Sequence, residues 1–251
     1  HDAKISFDDF ESYIVQGFLP RVYDQHQRPR TAYANYYQTY VEKDVRQLIQ
    51  LKDVSLFEKF IKLLAGRVGQ IINYQSLSND VGVGAPTIKQ WLSILEASFI
   101  IFKLPPYYKN FGKRVIKSPK YYFTEIGLLA YLLGIEKNTQ VSRDPLVGNI
   151  FENLAVIEVL KSRYNQGRNA ELYYFRDSNG NEIDLLCKTG DGLVGVEIKS
   201  ASTWNSSFSK SLTNFSESNE KLAGRIVVYS GSRIDLSSGV QVRSYKDFVV
   251  S

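Results

Sequence analysis

A chain of 251 residues that is 43% hydrophobic and 13% aromatic can build one large core or two ordinary ones, which excludes a disordered protein. A single cysteine, Cys187, excludes a disulfide framework or a cysteine-built metal site and suits a reducing compartment, so the cytoplasm is the expected location. The net charge of +5 belongs to the first half, because residues 1–134 carry 17 Lys/Arg against 12 Asp/Glu and residues 135–251 carry 14 of each. No apolar run reaches the ~20 residues that span a bilayer, and neither a signal-peptide pattern nor a GxxxxGK[ST] phosphate loop is present. Methionine is absent and the sequence begins at His1, which reads as a piece of a longer chain.

In chain order, "GFLPRVYDQHQRPR" reads as an irregular lead-in because of its two prolines, with His26 on the surface. "YANYYQTYVEKDVRQL" (33–48) and "SLFEKFIKLL" (55–64) repeat apolar or aromatic residues at helical spacing. A short helix over Tyr74–Asp80 ends at "VGVG", and a second begins near Ala85 with Pro86 in its first turn. That second helix buries Ile88, Trp91, Leu92 and Leu95 and turns Thr87, Lys89 and Gln90 outward. Two strands come next, "FIIFKL" and "VIKSPKYYF", with a turn at "KNFGKR" between them. Helix, tight turn, helix and basic hairpin together predict a winged helix over about residues 70–123.

From Phe99 to Phe123, Lys103, Lys109, Lys113, Arg114, Lys117 and Lys120 meet no acidic residue, a stripe suited to a phosphate backbone. In a DNA-binding winged helix, Lys89 and Gln90 would reach base edges, and Lys109, Lys113, Arg114 and Lys117 would hold phosphates. A solvated basic face or a protein-docking module is the plainer reading of the same pattern. After a helix at "EIGLLAYLLGI", the polar stretch broken at Asp144–Pro145 predicts a boundary near residue 140. The first domain is then 1–140 and the second 141–251.

The second domain alternates helix (147–164), three strands (172–176, 182–188, 193–200), helix (208–217) and strands (225–230 and near 240–245), an α/β order. In "EIDLLCK" and "LVGVEIKS", alternation puts Asp184 on one face of its strand, and Glu197 with Lys199 on one face of the next. With Asp191–Gly192 as the turn, Asp184 faces Lys199; slipped by one pair, it faces Glu197. Either register gathers two carboxylates and an amine, which suits a hard divalent cation held through oxygen. An internal ion-pair network is the structural alternative. The helix "VGNIFENLAVIEVLK" is apolar almost all round, yet holds Glu152 on a stripe with Ala155, Val156 and Val159, so this carboxylate wants a cation, and Asp184, Glu197 and Lys199 mark where one could sit. Glu158 lies ~120° away and pairs with Lys161 at the edge.

The order Glu152, Asp184, Glu197-x-Lys199 resembles the PD-(D/E)XK nuclease superfamily, over residues 147–230. The stretches "YYQTYVEKDVRQL", "TIKQWLSILEASFIIFKLPPY", "SPKYYFTEIGLLAYLLG", "GNIFENLAVIEVL", "YYFRDSNGNEIDLLC" and "VEIKS" are similar to the C-terminal part of a prokaryotic family of predicted AAA-type ATPases. The C-terminal region of that family is a domain of unknown function. "QGFLP" and Glu125 depart from the family's usual Gly-Gly-Phe-Pro and Asp.

The resemblance implies a helical winged-helix domain followed by an α/β restriction-endonuclease-like domain, with ATP bound only in an N-terminal domain outside this sequence. It implies an ATP-binding protein whose C-terminal piece is a metal-dependent DNA-binding or DNA-cleaving module under ATPase control. Mg²⁺ or Mn²⁺ would sit on Asp184, Glu197 and the carbonyl of Ile198; Lys199 would orient water, and Glu152 would complete the outer shell. The alternative is a non-catalytic DNA- or protein-docking module with a structural ion network, which binds its partner without regard to Mg²⁺.

Overall fold

The computed structural model describes residues 9–40, 54–107, 118–218, 221–236 and 239–248. The chain divides into two compact units: His1–Phe102 with Tyr121–Ile150, and Lys103–Lys120 with Phe151–Ser251. It is a mixed α+β protein with a helical N-terminal part and a C-terminal sheet domain.

The first unit opens with α1 (Phe10–Gln16), capped by Asp9, whose side chain accepts from the Ser12 N–H. The lead-in differs from its predicted irregular form. Pro20 and Pro29 stand at the first turns of two helices, α2 (Pro20–Asp24) and α3 (Pro29–Tyr36). Proline costs nothing there, because a first-turn N–H has no helical partner to lose. His26 is exposed, as expected. Of the predicted helix over 33–48, residues 33–40 are helical, in α3 and the π-type turns that follow it, and residues 41–48 lie outside the described residues.

The two motifs that depart from the family pattern meet in space. Glu125 Oε1 accepts from the Phe18 N–H and from the Tyr33 hydroxyl, each at 2.8 Å, and caps α7 (Ile126–Leu132) through the Gly127 N–H. A Cβ at Gly127 would overlap the Tyr33 ring, so glycine is what admits that ring.

The α4 helix (Val54–Ala65) buries Phe57 and Phe60 against Trp91 of α6 (Ala85–Ala97), with ring centroids 5.5 and 5.2 Å apart. Between them, α5 (Tyr74–Val81) is capped by Asn73 and closed by left-handed Gly82. The helix-turn-helix pattern is therefore present. Ile88, Trp91, Leu92 and Leu95 are buried, whereas Lys89 and Gln90 are exposed. Strands β1 (Ile101–Leu104) and β2 (Lys120–Phe123) pair in a two-stranded sheet, while the predicted turn at "KNFGKR" and the first residues of the predicted strand "VIKSPKYYF" lie outside the described residues.

In the second unit, α9 (Val147–Asn165, which comes after the single-turn α8 at Asn138–Val141) is apolar nearly all round. Its residues from Phe151 to Ile157 are all buried. Strands β3 (Leu172–Arg176), β4 (Glu182–Thr189), β5 (Gly192–Lys199), β6 (Gly224–Tyr229), β7 (Ile234–Asp235) and β8 (Gln241–Ser244) form a six-stranded sheet, order β3-β4-β5-β6-β8-β7. The first three run antiparallel, and β5, β6 and β8 run parallel. After β1 the chain bridges β3, where the Tyr107 N–H donates to the Tyr174 carbonyl at 2.7 Å and Tyr174 returns its N–H to Pro105.

Helix α10 (Lys210–Ser218) covers one sheet face, its Leu212 and Phe215 joining Leu186, Leu193 and Val227 in a common core. Gly195 makes that approach possible, because a Cβ there would stand 2.8 Å from Leu212 Cδ2 and 2.7 Å from Leu222 Cδ1.

Candidate functional site

The β4–β5 ladder pairs Thr189 with Gly192 and runs to Leu185 opposite Val196. Gly190 and Asp191 therefore form the turn. One further step places Asp184 opposite Glu197, the slipped alternative of the two registers. Side-chain alternation then turns Asp184, Glu197 and Lys199 to the α10 face, where a cleft opens.

Lys199 Nζ lies 2.7 Å from Glu197 Oε2 and 3.2 Å from Asp184 Oδ2, so one ammonium bridges both carboxylates. The Ile198 N–H donates to Asp184 Oδ2 at 2.8 Å, while the Ile198 side chain is buried on the opposite face. From α10 the Ser211 hydroxyl donates to Glu197 Oε1. Asp184, Glu197, Lys199 and Ser211 line a cleft of about 470 Å³ together with Glu182 and Lys210, and Ile198 is not among its lining residues. A larger cavity of about 740 Å³ lies within the first unit and contains none of them.

Burial penalises every charge here, and the neighbours decide which survive. Burial pushes Asp184 up, but the ammonium groups of Lys199 and Lys120 and the Ile198 N–H outweigh it and hold its carboxyl below the usual range. Glu197, more deeply buried and next to ionised Asp184, is driven well above the usual carboxylate range. Burial opposes the Lys199 charge, yet the two carboxylates raise its pKa. The two carboxyls are therefore pushed apart in proton affinity, Glu197 toward its neutral form and Asp184 toward its charged form, with the Lys199 ammonium between them.

Glu152 is buried as expected, but the cation beside it is Lys120, whose Nζ lies 3.0 Å from Glu152 Oε1, and Glu152 is not among the residues lining the Asp184–Glu197–Lys199 cleft where its cation is expected. Glu158 is exposed and pairs with Lys161 at 3.3 Å, also as expected. Lys120 corrects the reading of a continuous solvated stripe, because its side chain is only 3% exposed and also bonds Glu182 Oε1 at 2.6 Å. Its signal in the sequence is a charge mismatch: a buried helix carboxylate and a strand carboxylate with no cation assigned to either. Of the nucleic-acid candidates, Lys89 and Gln90 lie exposed on α6, with Lys89 Nζ 5.3 Å from the Tyr74 ring centroid. Lys109, Lys113, Arg114 and Lys117 lie outside the described residues.

Among the described residues no group of three or more His, Cys, Asp or Glu is arranged to hold a metal. Asp184 and Glu197, on adjacent strands, are the residues whose oxygens could be offered to a hard divalent cation.

A helical module followed by a sheet module with a carboxylate–lysine cleft is thus the class of protein the chain defines. Residues 7–139 match the model of a domain of unknown function, DUF8612, and the chain belongs to that family; residues 147–248 match a second, DUF4143. An uncharacterized protein of Mycobacterium tuberculosis, Rv2008c, is 31% identical over 206 residues, 82% of this chain and 45% of the relative. An uncharacterized protein of Haemophilus influenzae is 23% identical over 250 residues, 97% of this chain and 58% of the relative. The chain thus spans about half the length of these relatives. Among the described residues no helix is long and apolar enough to cross a membrane.

Proposed function

We propose that the second unit is a restriction-endonuclease-like, metal-dependent DNA-binding or DNA-cleaving module, and that α5 and α6 with strands β1 and β2 form a winged helix that positions DNA. The observation that carries this reading is the convergence of Asp184, Glu197 and Lys199, two carboxylates and an amine from adjacent strands, on one cleft wall. Helix α9, three antiparallel strands, helix α10 and parallel β6 keep the element order of the PD-(D/E)XK proteins, which supports the assignment. Asp184 and Glu197, with the Ile198 carbonyl, would hold Mg²⁺ or Mn²⁺, whose chemistry is to polarise water and offset phosphate charge. Lys199 stands where it can exchange its carboxylate bonds for a water or a phosphate oxygen. Glu152 acts from outside the cleft wall, through Lys120. Control by an AAA-type ATPase domain, the place where ATP would bind, rests on the motif resemblance and on the greater length of the relatives.

A second reading has its own support. Lys199 already satisfies both carboxylates, as a structural ion network in a non-catalytic docking module would require.

Calorimetric titration of Mn²⁺ into the chain and into Asp184→Asn separates the two. The nuclease-like reading expects binding by the wild type that falls below detection in the variant, while circular dichroism in metal-free buffer shows the variant still folded, at a lower melting temperature because the neutral amide no longer answers the Lys199 charge. An absence of binding by the wild type, or equal binding by both proteins, selects the ion network.

A further inference from the structure

The cleft offers two carboxylates, but a third stands beside them. Glu182 lies two residues before Asp184 on β4, on the same strand face, and lines the same cleft. It is held back by cations on both oxygens: Lys120 Nζ at 2.6 Å from Oε1 and Arg176 at 3.1 Å from Oε2. Lys120 is itself fixed on several sides, 3.0 Å from Glu152 Oε1 and 5.5 Å from the Tyr174 ring centroid, and is not among the residues lining the cleft. An ammonium needed only to offset the buried charge of Glu152 has no reason to grip a carboxylate at the cleft wall.

We propose that Lys120 is a positioning residue of the site, which withholds the Glu182 carboxylate so that the cleft presents two acidic ligands and an amine to a divalent cation and a phosphodiester. Held by Arg176 alone once Lys120 is gone, Glu182 would bring less compensated negative charge beside Asp184, tightening the grip on a bare cation and repelling the phosphate that must join it. The inference rests on reading Asp184 and Glu197 as cation-holding residues.

The test titrates Mn²⁺, and separately a short DNA duplex, into the wild type, Lys120→Arg, Lys120→Met, Lys120→Met/Glu182→Gln and Lys120→Met/Glu152→Gln. Lys120→Met is expected to bind Mn²⁺ roughly tenfold more tightly, the effect of one extra unit charge near a partly exposed site. It should also bind the duplex more weakly. Lys120→Arg and Lys120→Met/Glu182→Gln should return to wild-type affinities, and Lys120→Met/Glu152→Gln should not. If Lys120→Met fails to fold for want of a partner to Glu152, Lys120→Met/Glu152→Gln removes that liability and carries the comparison with the wild type. Wild-type affinities in Lys120→Met/Glu152→Gln, with Lys120→Met/Glu182→Gln still altered, would reduce Lys120 to a partner for Glu152 and overturn the proposal. A wild type that takes up no Mn²⁺ overturns the cation-holding reading and this inference with it.

Discussion

The two candidate sites differ in what it costs to build them. In the second unit, Glu197 is 5% exposed and Asp184 13%, each bonded to Lys199, and the chain supplies further partners from α10 and from the Ile198 backbone. In the first unit, Lys89 and Gln90 project from α6 into solvent, and Lys89 makes a cation–ring approach to Tyr74. Removing a charge from water costs several kcal/mol unless it is paired, whereas an exposed lysine costs almost nothing. The cleft is therefore a commitment made by the fold, and the α6 surface is an opportunity any soluble helix could offer. Perturbing both regions shows whether this difference in cost is also a difference in function.

The largest effect on stability expected from such changes is at Gly195, where the covering helix meets the sheet. An added methyl group would stand 2.8 Å from Leu212 Cδ2 and 2.7 Å from Leu222 Cδ1, so Gly195→Ala forces these buried leucines, and with Leu212 the seat of α10, to repack. Overpacking of this kind costs about 1–3 kcal/mol, partly offset by the ~0.4–1 kcal/mol that alanine gains through a less flexible unfolded chain. Ser211 rides on the same helix, so the displacement should also loosen its bond to Glu197. Urea unfolding with the slope held constant measures the cost. A midpoint equal to the wild type would mean that α10 is not seated firmly enough to organise the cleft.

Glu197 gives a smaller effect with a distinctive pH dependence. Its folded-state pKa is raised, first by burial and then by Asp184, so the stability it contributes is fully present below the ordinary glutamate value of ~4.3 and is lost as pH rises through the folded value. Asp184 runs the other way: its folded value is lowered, so its contribution is present at higher pH and is lost as pH falls through that value. Glu197→Gln cannot ionise, so its melting temperature should gain on the wild type as metal-free buffer is taken from pH 4.5 to pH 8, by a few degrees at most. A constant difference across that range would mean that Glu197 titrates as a solvated carboxylate and that the cleft imposes no such cost.

Much of the second unit is legible in the sequence because its periodicities are local. Strand β3 is expected at Leu172–Arg176 and is found there, and the faces of β4 and β5 emerge from alternation alone. Sequence does not decide the register. Asp191–Gly192 is the usual signal for the turn itself, but the chain uses Gly190–Asp191 and carries Gly192, at φ +127°, into the strand. Lys120 stays hidden for a different reason, since its partners lie 32 and 62 residues along the chain and it sits in a run that reads as uniformly basic. The prolines of the lead-in look like breaks in the sequence because their other role, opening a helix, depends on the helical residues after them. The buried face of α6 is legible from its spacing, yet its outward residues carry no signal that identifies a partner.

That outward face yields the smallest expected change, and the most useful contrast with the cleft. Lys89→Ala with Gln90→Ala touches no buried group, so stability should stay within ~0.5 kcal/mol of the wild type. If Lys89 contacts a phosphate, duplex DNA affinity should fall similarly for all sequences, and the slope of log affinity against log salt should shrink by roughly one. If Gln90 reads a base edge, one sequence should lose more affinity than the rest. Fluorescence anisotropy across a salt series separates these outcomes from unchanged binding. Unchanged binding would leave α6 an ordinary solvated face and place any DNA contact elsewhere. A reduced slope together with intact Mn²⁺ binding would instead show that the inexpensive surface and the costly cleft serve separate steps, docking and chemistry, on one chain.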